Sequence, residues 1–378
     1  MRISGEWLSH PGTQALCGLL EREDRKALLV GGCVRNALLG MPVADIDIAT
    51  DAVPDEVIAL AGHAGLKVVP TGLSHGTVTV IVEGRPHEVT TLRRDMTTDG
   101  RHAEVEFSTD VTEDASRRDF TMNALYATRA GEVLDPIGGL PDLLAKRVRF
   151  VGDPERRIRE DYLRILRFFR FHAQYGDETA GLDKDGLQAC AAHVAGLDSL
   201  SRERIGAEIR KLLSARNPAP TLLAMDQTGV LERVLPGADL DAIARLAPLE
   251  GSAPPDWMRR LACLGGAVAE DLRLSKAELR CINAIGRAAA SDHGAAAIGW
   301  ELGREAGRSA VIVRAARSGF GLPAGWAEDV DRGSAATFPV KAQDLLPLAG
   351  RDLGARLASL TDLWLRSDLR LTRNELLR

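Results

Sequence analysis

The chain has 378 residues, 45% of them hydrophobic, with 48 Lys and Arg against 53 Asp and Glu for a formal net charge of -5. That length exceeds one ordinary core and points to about two or three domains. The acid excess argues against indiscriminate phosphate binding, and 4% aromatic content argues against a stacking platform for single-stranded nucleic acid. Cys17, Cys33, Cys190, Cys263 and Cys281 are odd in number, scattered and without a CxxC pair, which fits a reducing compartment and offers neither a disulfide framework nor a zinc site.

Glu6, His10 and Pro11 interrupt the first twenty residues, so no signal peptide is read there. No run reaches the roughly 18 apolar residues of a spanning helix, and a soluble, cytoplasmic protein without membrane contact is expected. From Lys26 to Leu134 short β-rich runs alternate with helical ones. KALLVGG, DIDIAT, GTVTVIVEG, RPHEVTTL and EVLDPI read as strands, the third and fourth forming an antiparallel hairpin at Gly84. PDEVIALAGHAG reads as a helix with Pro54 in its first turn.

After DPIGGLPDLLAKRVRFVGDP the strand signals nearly vanish. Asp153 caps and Pro154 opens a helix, and REDYLRILRFFRFHAQYG (159–176) reads with a period near 3.6 as one amphipathic helix ending at Gly176. Its apolar surface is Leu163, Ile165, Leu166, Phe168, Phe169 and Phe171. Asp161, Arg164, Arg167 and Arg170 recur every third residue, which by itself describes a solvated face. Ser201 caps LSRERIGAEIRKLL, and Ala/Leu/Arg helices follow, broken at NPAP, LPGADL, EGSAPPDW and GLPAGW.

The chemistry concentrates in LLVGGCVRNALLG followed by ADIDIAT. Gly31 and Gly32 end a strand and let backbone N–H groups approach an anion, while a helix beginning near Val34 adds its positive end and places Arg35 to grip a phosphate. Asp45 and Asp47 alternate with Ile46 and Ile48, so both carboxylates project from one strand face and the isoleucines enter the core. Two acids aimed at one point repel, and Mg²⁺ held by carboxylates and substrate phosphates removes the conflict. With two such ions, one activates an attacking hydroxyl and the other steadies a pyrophosphate leaving group. Glu88 reads equally as a third acid or as a surface strand residue. There is no GxxxxGK[ST], no GxGxxG after a strand and no GxSxG.

GGCVRNALLG with DIDIAT resembles the nucleotidyltransferase head of the DNA polymerase β superfamily. RRDFTMNALY (117–126), DPIGGLPDL (135–143), REDYLRILRFFRF (159–171) and LSRERIGAEIRKLL (200–213) follow in the order seen in class II tRNA nucleotidyltransferases, the CCA-adding enzymes and bacterial poly(A) polymerases. The segment from Phe338 to the end resembles the family's tail less specifically. The resemblance implies an α+β fold: a mixed-sheet catalytic head over 1–145, a helical neck over 146–220 that reads the base, a helical body over 221–335, and a helical tail over 336–378 that contacts tRNA. It also implies roles. Gly32 and Arg35 hold the triphosphate, Arg118 and Asp119 the sugar and phosphates, and Asp45 and Asp47 the metal. Asp161 and Arg164, three apart on one helical face, read the base, with Arg167 and Arg170 orienting them or contacting phosphates. Asn123 either fixes a turn or touches the sugar; Gly138 and Gly139 make a turn or a hinge. Asn36 stands where the family commonly has Asp.

CTP, ATP and the tRNA 3′ end are the implied partners, with no protein partner. Full CCA addition leads; poly(A) or A-only addition is the second reading, and a catalytically idle RNA-binding protein the third. The polar segment 93–107 resembles the loop that CC-adding relatives tend to lack, which favours an enzyme able to add A; the alternative is a solvated hairpin connection. Asp292 and His293 read as a loop and not as a phosphohydrolase pair. Arg202, Arg204, Arg210 and Lys211, and in the tail Arg366, Arg370 and Arg373, form basic stripes that read as RNA contacts or solvated faces.

Overall fold

The computed structural model describes residues 1–95, 105–251, 253–265 and 272–378. The chain divides into two compact units, Met1–Ser199 and Leu200–Arg378.

The first unit opens with helices α1 (Glu6–Ser9) and α2 (Pro11–Leu20), then β1 (Ala27–Val30), α3 (Gly32–Leu38), β2 (Ile46–Thr50), α4 (Pro54–His63), β3 (Lys67–Gly72), β4 (Thr77–Val82) and β5 (Arg85–Thr91). A small hairpin, β6 (Arg93–Asp95) with β7 (Val105–Phe107), precedes α5 (Val111–Ser116), β8 (Tyr126–Ala127), β9 (Val133–Leu134) and α6 (Leu140–Leu144). Seven strands form one mixed sheet in the order β3-β4-β5-β2-β1-β8-β9, in which β2 and β5 run parallel and the other neighbours antiparallel.

Burial follows the side-chain alternation. Val78, Val80 and Val82 of β4 are buried, as are Ile46 and Ile48 of β2, while β1 is buried along its whole length. Leu28, Val30, Ala49, Leu92, Ala115, Ala124, Tyr126 and Val151 form a core under the sheet. The expected hairpin at Gly84 is present. The EVLDPI strand shrinks to Val133–Leu134, and β3, unanticipated, is an edge strand with no buried residue and a proline inside it.

Three helices complete the unit: α7 (Pro154–Glu160), α8 (Leu163–Tyr175) and α9 (Lys184–Ala192). The single helix expected over 159–176 is broken. Asp161 adopts φ -156° and ψ 107°, its carbonyl accepts the Arg164 N–H at 3.0 Å, and its Oδ1 accepts the Leu163 N–H at 3.1 Å. Asp is a residue that trades helix for local backbone capping, and here it opens α8. The apolar face of α8 docks through an aromatic cluster in which Phe120 lies 4.9 Å from both Phe150 and Phe171, and Phe150 stacks on Phe168 at 5.4 Å.

The second unit is helical: α10 (Arg202–Leu213), capped by Ser201, α11 (Ala219–Gln227), α12 (Val230–Val234), α13 (Leu240–Glu250), α14 (Trp257–Leu264), α15 (Lys276–Ala290), α16 (Ala295–Ser318), α17 (Trp326–Ala335), α18 (Gly350–Arg366) and α19 (Arg373–Leu376). Glu250 pairs with Arg259 and Arg260 in its interior. Its C-terminal end closes over Val340, Leu345, Leu360, Trp364 and Leu376, with Trp300 and Phe338 rings edge-on to Trp364. Among the described residues no helix is long and apolar enough to cross a membrane.

Candidate active site

Gly31 ends β1 in a backbone only glycine adopts without strain, φ 68° and ψ -118°, and α3 begins at Gly32. A Cβ at Gly31 would lie 3.5 Å from Nη1 of Arg118, so that guanidinium sits over the glycine turn. Arg118 donates through Nε and Nη2 to Oδ2 of Asp114 at 3.2 and 2.9 Å, and through Nε to the Tyr126 hydroxyl at 3.1 Å. Burial works to lower its pKa, and the buried Asp114 carboxylate outweighs it and raises it. Asp114, which also holds Arg117, escaped the sequence reading; its signal was an acid three and four residues before an Arg pair at a helix end.

Asp47 stands on β2, with Asp45 immediately before that strand. Parallel pairing puts Glu88 of β5 directly beside Asp47. The Asp47 carboxyl is pushed up to about 6, first by burial and then by the Glu88 and Asp45 charges, with Arg118 opposing. Among the described residues no group of three or more His, Cys, Asp or Glu is gathered at metal-holding spacing. Glu88 is a neighbour that loads charge onto Asp47, and Asp45 and Asp47 are the carboxylates that could hold a metal. That set fits a hard divalent cation, which takes one or two carboxylates and completes its shell with phosphate and water oxygens.

Arg35 is held by protein groups. It is 7% exposed, its Nη2 donates to the Asn36 Oδ1 at 2.9 Å and the Tyr175 hydroxyl at 2.8 Å, and its Nη1 donates to Asn123 Oδ1. The guanidinium stacks 4.0 Å from the Tyr175 ring centroid. These bonds tie α3 to the end of α8 and hold the guanidinium near Gly32, where a Cβ would lie 3.8 Å from Nη2. Asn36 accepts two of these bonds, so a neutral side chain serves where an acid was anticipated.

Asp119 is likewise committed. Its Oδ2 accepts from Arg167 through Nε at 2.8 Å and also through Nη2, and its Oδ1 accepts from Asn123 and the Phe120 N–H at 2.9 Å. Burial alone would raise its pKa; Arg167 overturns that and holds it at about 2. Arg170 donates to Gln174 at 3.0 Å and lies over the Phe171 ring at 4.4 Å. Asn123 closes the short turn Thr121–Asn123, one of its two anticipated roles, and bridges Asp119 to Arg35.

At the α7–α8 break, Arg164 donates through Nη1 to Glu160 Oε2 at 2.6 Å and to the Arg157 carbonyl at 2.7 Å. Arg157 in turn donates to Glu160 and to the backbone carbonyls of Arg117 and Arg118. Neither Glu160 nor Arg157 was singled out from the sequence. Asp161 and Arg164 are brought together, though by a cap and the first turn of a helix instead of one helical face.

Gly138 and Gly139 form a fixed turn, with Asp135 accepting from the Gly139 and Leu140 N–H groups at 2.7 and 2.9 Å. Of the segment 93–107, the described ends pair as β6 and β7, and Arg94 ties them to Glu106 and Glu113; residues 96–104 lie outside the described residues. In the second unit Arg210 pairs with Glu278 and stacks on Trp257, while Arg366 and Arg373 pair with Asp362 and Asp344.

Residues 27–149 match the family described as poly A polymerase head domain, and 181–241 match the probable RNA and SrmB- binding site of polymerase A. The chain is 34% identical over an alignment of 387 residues to CCA tRNA nucleotidyltransferase 1, mitochondrial, of Mus musculus, covering 97% of this chain and 89% of that one. It is 42% identical over 220 residues to a CCA-adding enzyme of Geobacillus thermodenitrificans (strain NG80-2), 58% of this chain and 52% of the relative. The CCA-adding enzyme of Bacillus stearothermophilus in complex with CTP superposes with a TM-score of 0.76 at 28% identity, covering 94% of this chain and 93% of that one. The Thermotoga maritima CCA-adding enzyme complexed with tRNA shares the fold, with a TM-score of 0.67 at 18% identity and coverage of 99% and 97%. With the glycine turn, the acidic pair and the capped helix corner in the positions described, and a relative matched along almost its whole length, the chain belongs to the CCA tRNA nucleotidyltransferase family and is a nucleotidyltransferase.

Proposed function

We propose that this chain adds C, C and A to the 3′ end of tRNA, drawing on CTP and ATP and releasing pyrophosphate, with its own side chains in place of a nucleic-acid template. One observation carries the reading. Hydrogen bonds link the Arg118 segment, whose charge acts on Asp47, to the proposed base-reading corner: the Arg118 carbonyl is held by Arg157, and Arg157 shares Glu160 with Arg164.

Asp45 and Asp47 would hold Mg²⁺, two ions in the full complement. The metal supplies a lowered pKa at the primer 3′ hydroxyl and neutralisation of the pyrophosphate charge. The protein does the rest. The Gly31–Gly32 turn admits the triphosphate to backbone N–H groups, and Arg118 stands beside it as the cation nearest that turn. Arg167 and Asp119, locked together, wall the sugar side, while Arg35 and Arg170 add positive charge from behind.

Base choice follows from donor and acceptor order. Cytosine and adenine present an amine donor beside a ring-nitrogen acceptor, and uracil and guanine present the reverse. The Asp161 carboxylate accepts and the Arg164 guanidinium donates, which matches the first pair and leaves buried groups unsatisfied with the second. Both described bonds of Arg164 use Nη1, and in this reading Nε and Nη2 donate to the base.

The test is incubation of the protein with Mg²⁺, tRNA trimmed of its last three nucleotides, and each labelled nucleotide triphosphate. Ordered incorporation of two C and one A is expected. A alone assigns A-only or poly(A) addition, and no incorporation assigns an idle RNA-binding protein. Asp45→Ala or Asp47→Ala stops incorporation, by roughly 10³-fold or more. Asp161→Ala or Arg164→Ala relaxes base choice more than it slows chemistry; equal loss in both kinds of variant would count against templating.

A further inference from the structure

Arg157 is a buried cation, 5% exposed, on the last turn of α7, and it stands outside the residues proposed to bind nucleotide, metal or base. Its guanidinium faces in two directions. Nη2 donates to the backbone carbonyls of Arg117 and of Arg118, the latter at 2.9 Å, and Nη1 donates to Glu160 Oε2. That same Glu160 oxygen accepts from Arg164 at 2.6 Å, and the Arg157 carbonyl accepts from Arg164 at 2.7 Å. Two arginines and one carboxylate thus close a ring whose far side is anchored on the segment carrying Arg118 and Asp119.

We infer that Arg157 is a positioning residue for base selection: its guanidinium clamps Glu160, and through it Arg164, to the backbone of the nucleotide-binding segment 117–119, setting the distance between the base reader and the triphosphate site. The inference rests on the proposed base-reading role of Arg164. A side chain held at one atom by a carboxylate and a carbonyl that are both fixed keeps its remaining donors in one orientation. If Arg157 is shortened, Glu160 loses one of its cations and the α7 end loses its grip on the Arg117 and Arg118 carbonyls. Arg164 then gains freedom to rotate, and a guanidinium free to rotate donates to uracil and guanine oxygens as well.

The discriminating comparison is with Arg156. It lies next in sequence, approaches the same Glu160 at 3.4 Å, and has a side chain 78% exposed. A screened contact of that kind orients nothing.

The experiment uses the full-length chain and trimmed tRNA, and measures kcat and KM separately for CTP, ATP, UTP and GTP, with thermal midpoints recorded alongside. Arg157→Met is expected to lower the ratio of kcat/KM for CTP over UTP by roughly tenfold or more, the loss of one charged hydrogen-bond anchor. Arg157→Lys, which keeps a cation for Glu160 or the carbonyls, restores part of the ratio, and Arg156→Ala leaves it unchanged. The double variant Arg157→Met with Glu160→Gln is expected to be no less selective than the worse single one, because both release the same side chain. An Arg157→Met protein that slows with all four nucleotides alike, or melts earlier with its base ratio intact, overturns the inference; if that protein fails to fold, an unchanged ratio in Arg157→Lys overturns it. Arg164→Ala separates the two claims. If it relaxes base choice while Arg157 variants do not, only this inference falls; if Arg164→Ala itself leaves base choice intact, the base-reading role falls too.

Discussion

Asp47 sits at an uncomfortable point for a carboxylate, buried beside Glu88. A carboxyl whose folded pKa of about 6 exceeds its ordinary 3.8 binds its proton more tightly in the folded chain, so this group favours folding below 3.8 and that contribution is lost as pH rises through about 6. Asp47→Asn should therefore raise the thermal midpoint at pH 7.5 in a chelated buffer, a gain on the order of 1–2 kcal/mol after solvent screening, while abolishing incorporation. An unchanged or lower midpoint would remove the charge strain from the account. The same proton competes with a cation: divalent-ion affinity measured by calorimetry should fall as pH drops below about 6. Asp119 behaves oppositely. Its depressed pKa of about 2 gives stability that is complete above the usual carboxyl range and lost as pH falls toward 2. Asp119→Ala removes one carboxylate from the half-buried Arg167, at a cost of about 1–3 kcal/mol by denaturant titration.

At the scale of elements, the corner between α7 and α8 and the turn at Gly138–Gly139 set the site. The Gly139 position has no room for a side chain, since a Cβ there would lie 2.2 Å from the Thr121 carbonyl oxygen. Gly139→Ala should destabilise the chain by roughly 2–4 kcal/mol in a denaturant melt, and an indifferent variant would show that the turn can yield. Periodicity made α4, β2, β4 and β5 readable, because their buried and exposed positions alternate as an amphipathic pattern demands. It misread 159–176 for a physical reason: the hydrophobic spacing continues across Asp161, while the break lies in one side chain's preference for backbone N–H groups. β3 was invisible because an edge strand packs too little apolar surface to leave an alternation. For Arg35, spacing shows that a guanidinium stands near a glycine turn, but not that Asn36, Asn123 and Tyr175 hold it there.

At the scale of the whole molecule, every proposed nucleotide, metal and base-reading residue falls within Met1–Ser199. A chain ended after Ser199 should keep its CTP affinity, measured by calorimetry, and lose affinity for tRNA; loss of both would mean the site is built from more than the first unit. The acidic pair, the glycine turn and the Asp161/Arg164 pair were legible because each is a local chemical pattern. Tyr175 and the grip of Arg157 on the Arg118 carbonyl were not, since the partners lie 140 and 39 residues away and only folding brings them together, while Asp114 and Glu160 carried only the helical spacing that any solvated ion pair shows. The most direct measurement is a crystal structure of the full-length chain with CTP, Mg²⁺ and a trimmed tRNA end. The account predicts the cytosine amine on the Asp161 carboxylate, its ring nitrogen on the Arg164 guanidinium, and the triphosphate over Gly31 and Gly32. A cytosine edge facing solvent or bare backbone, with Arg164 still turned wholly to Glu160, would contradict it.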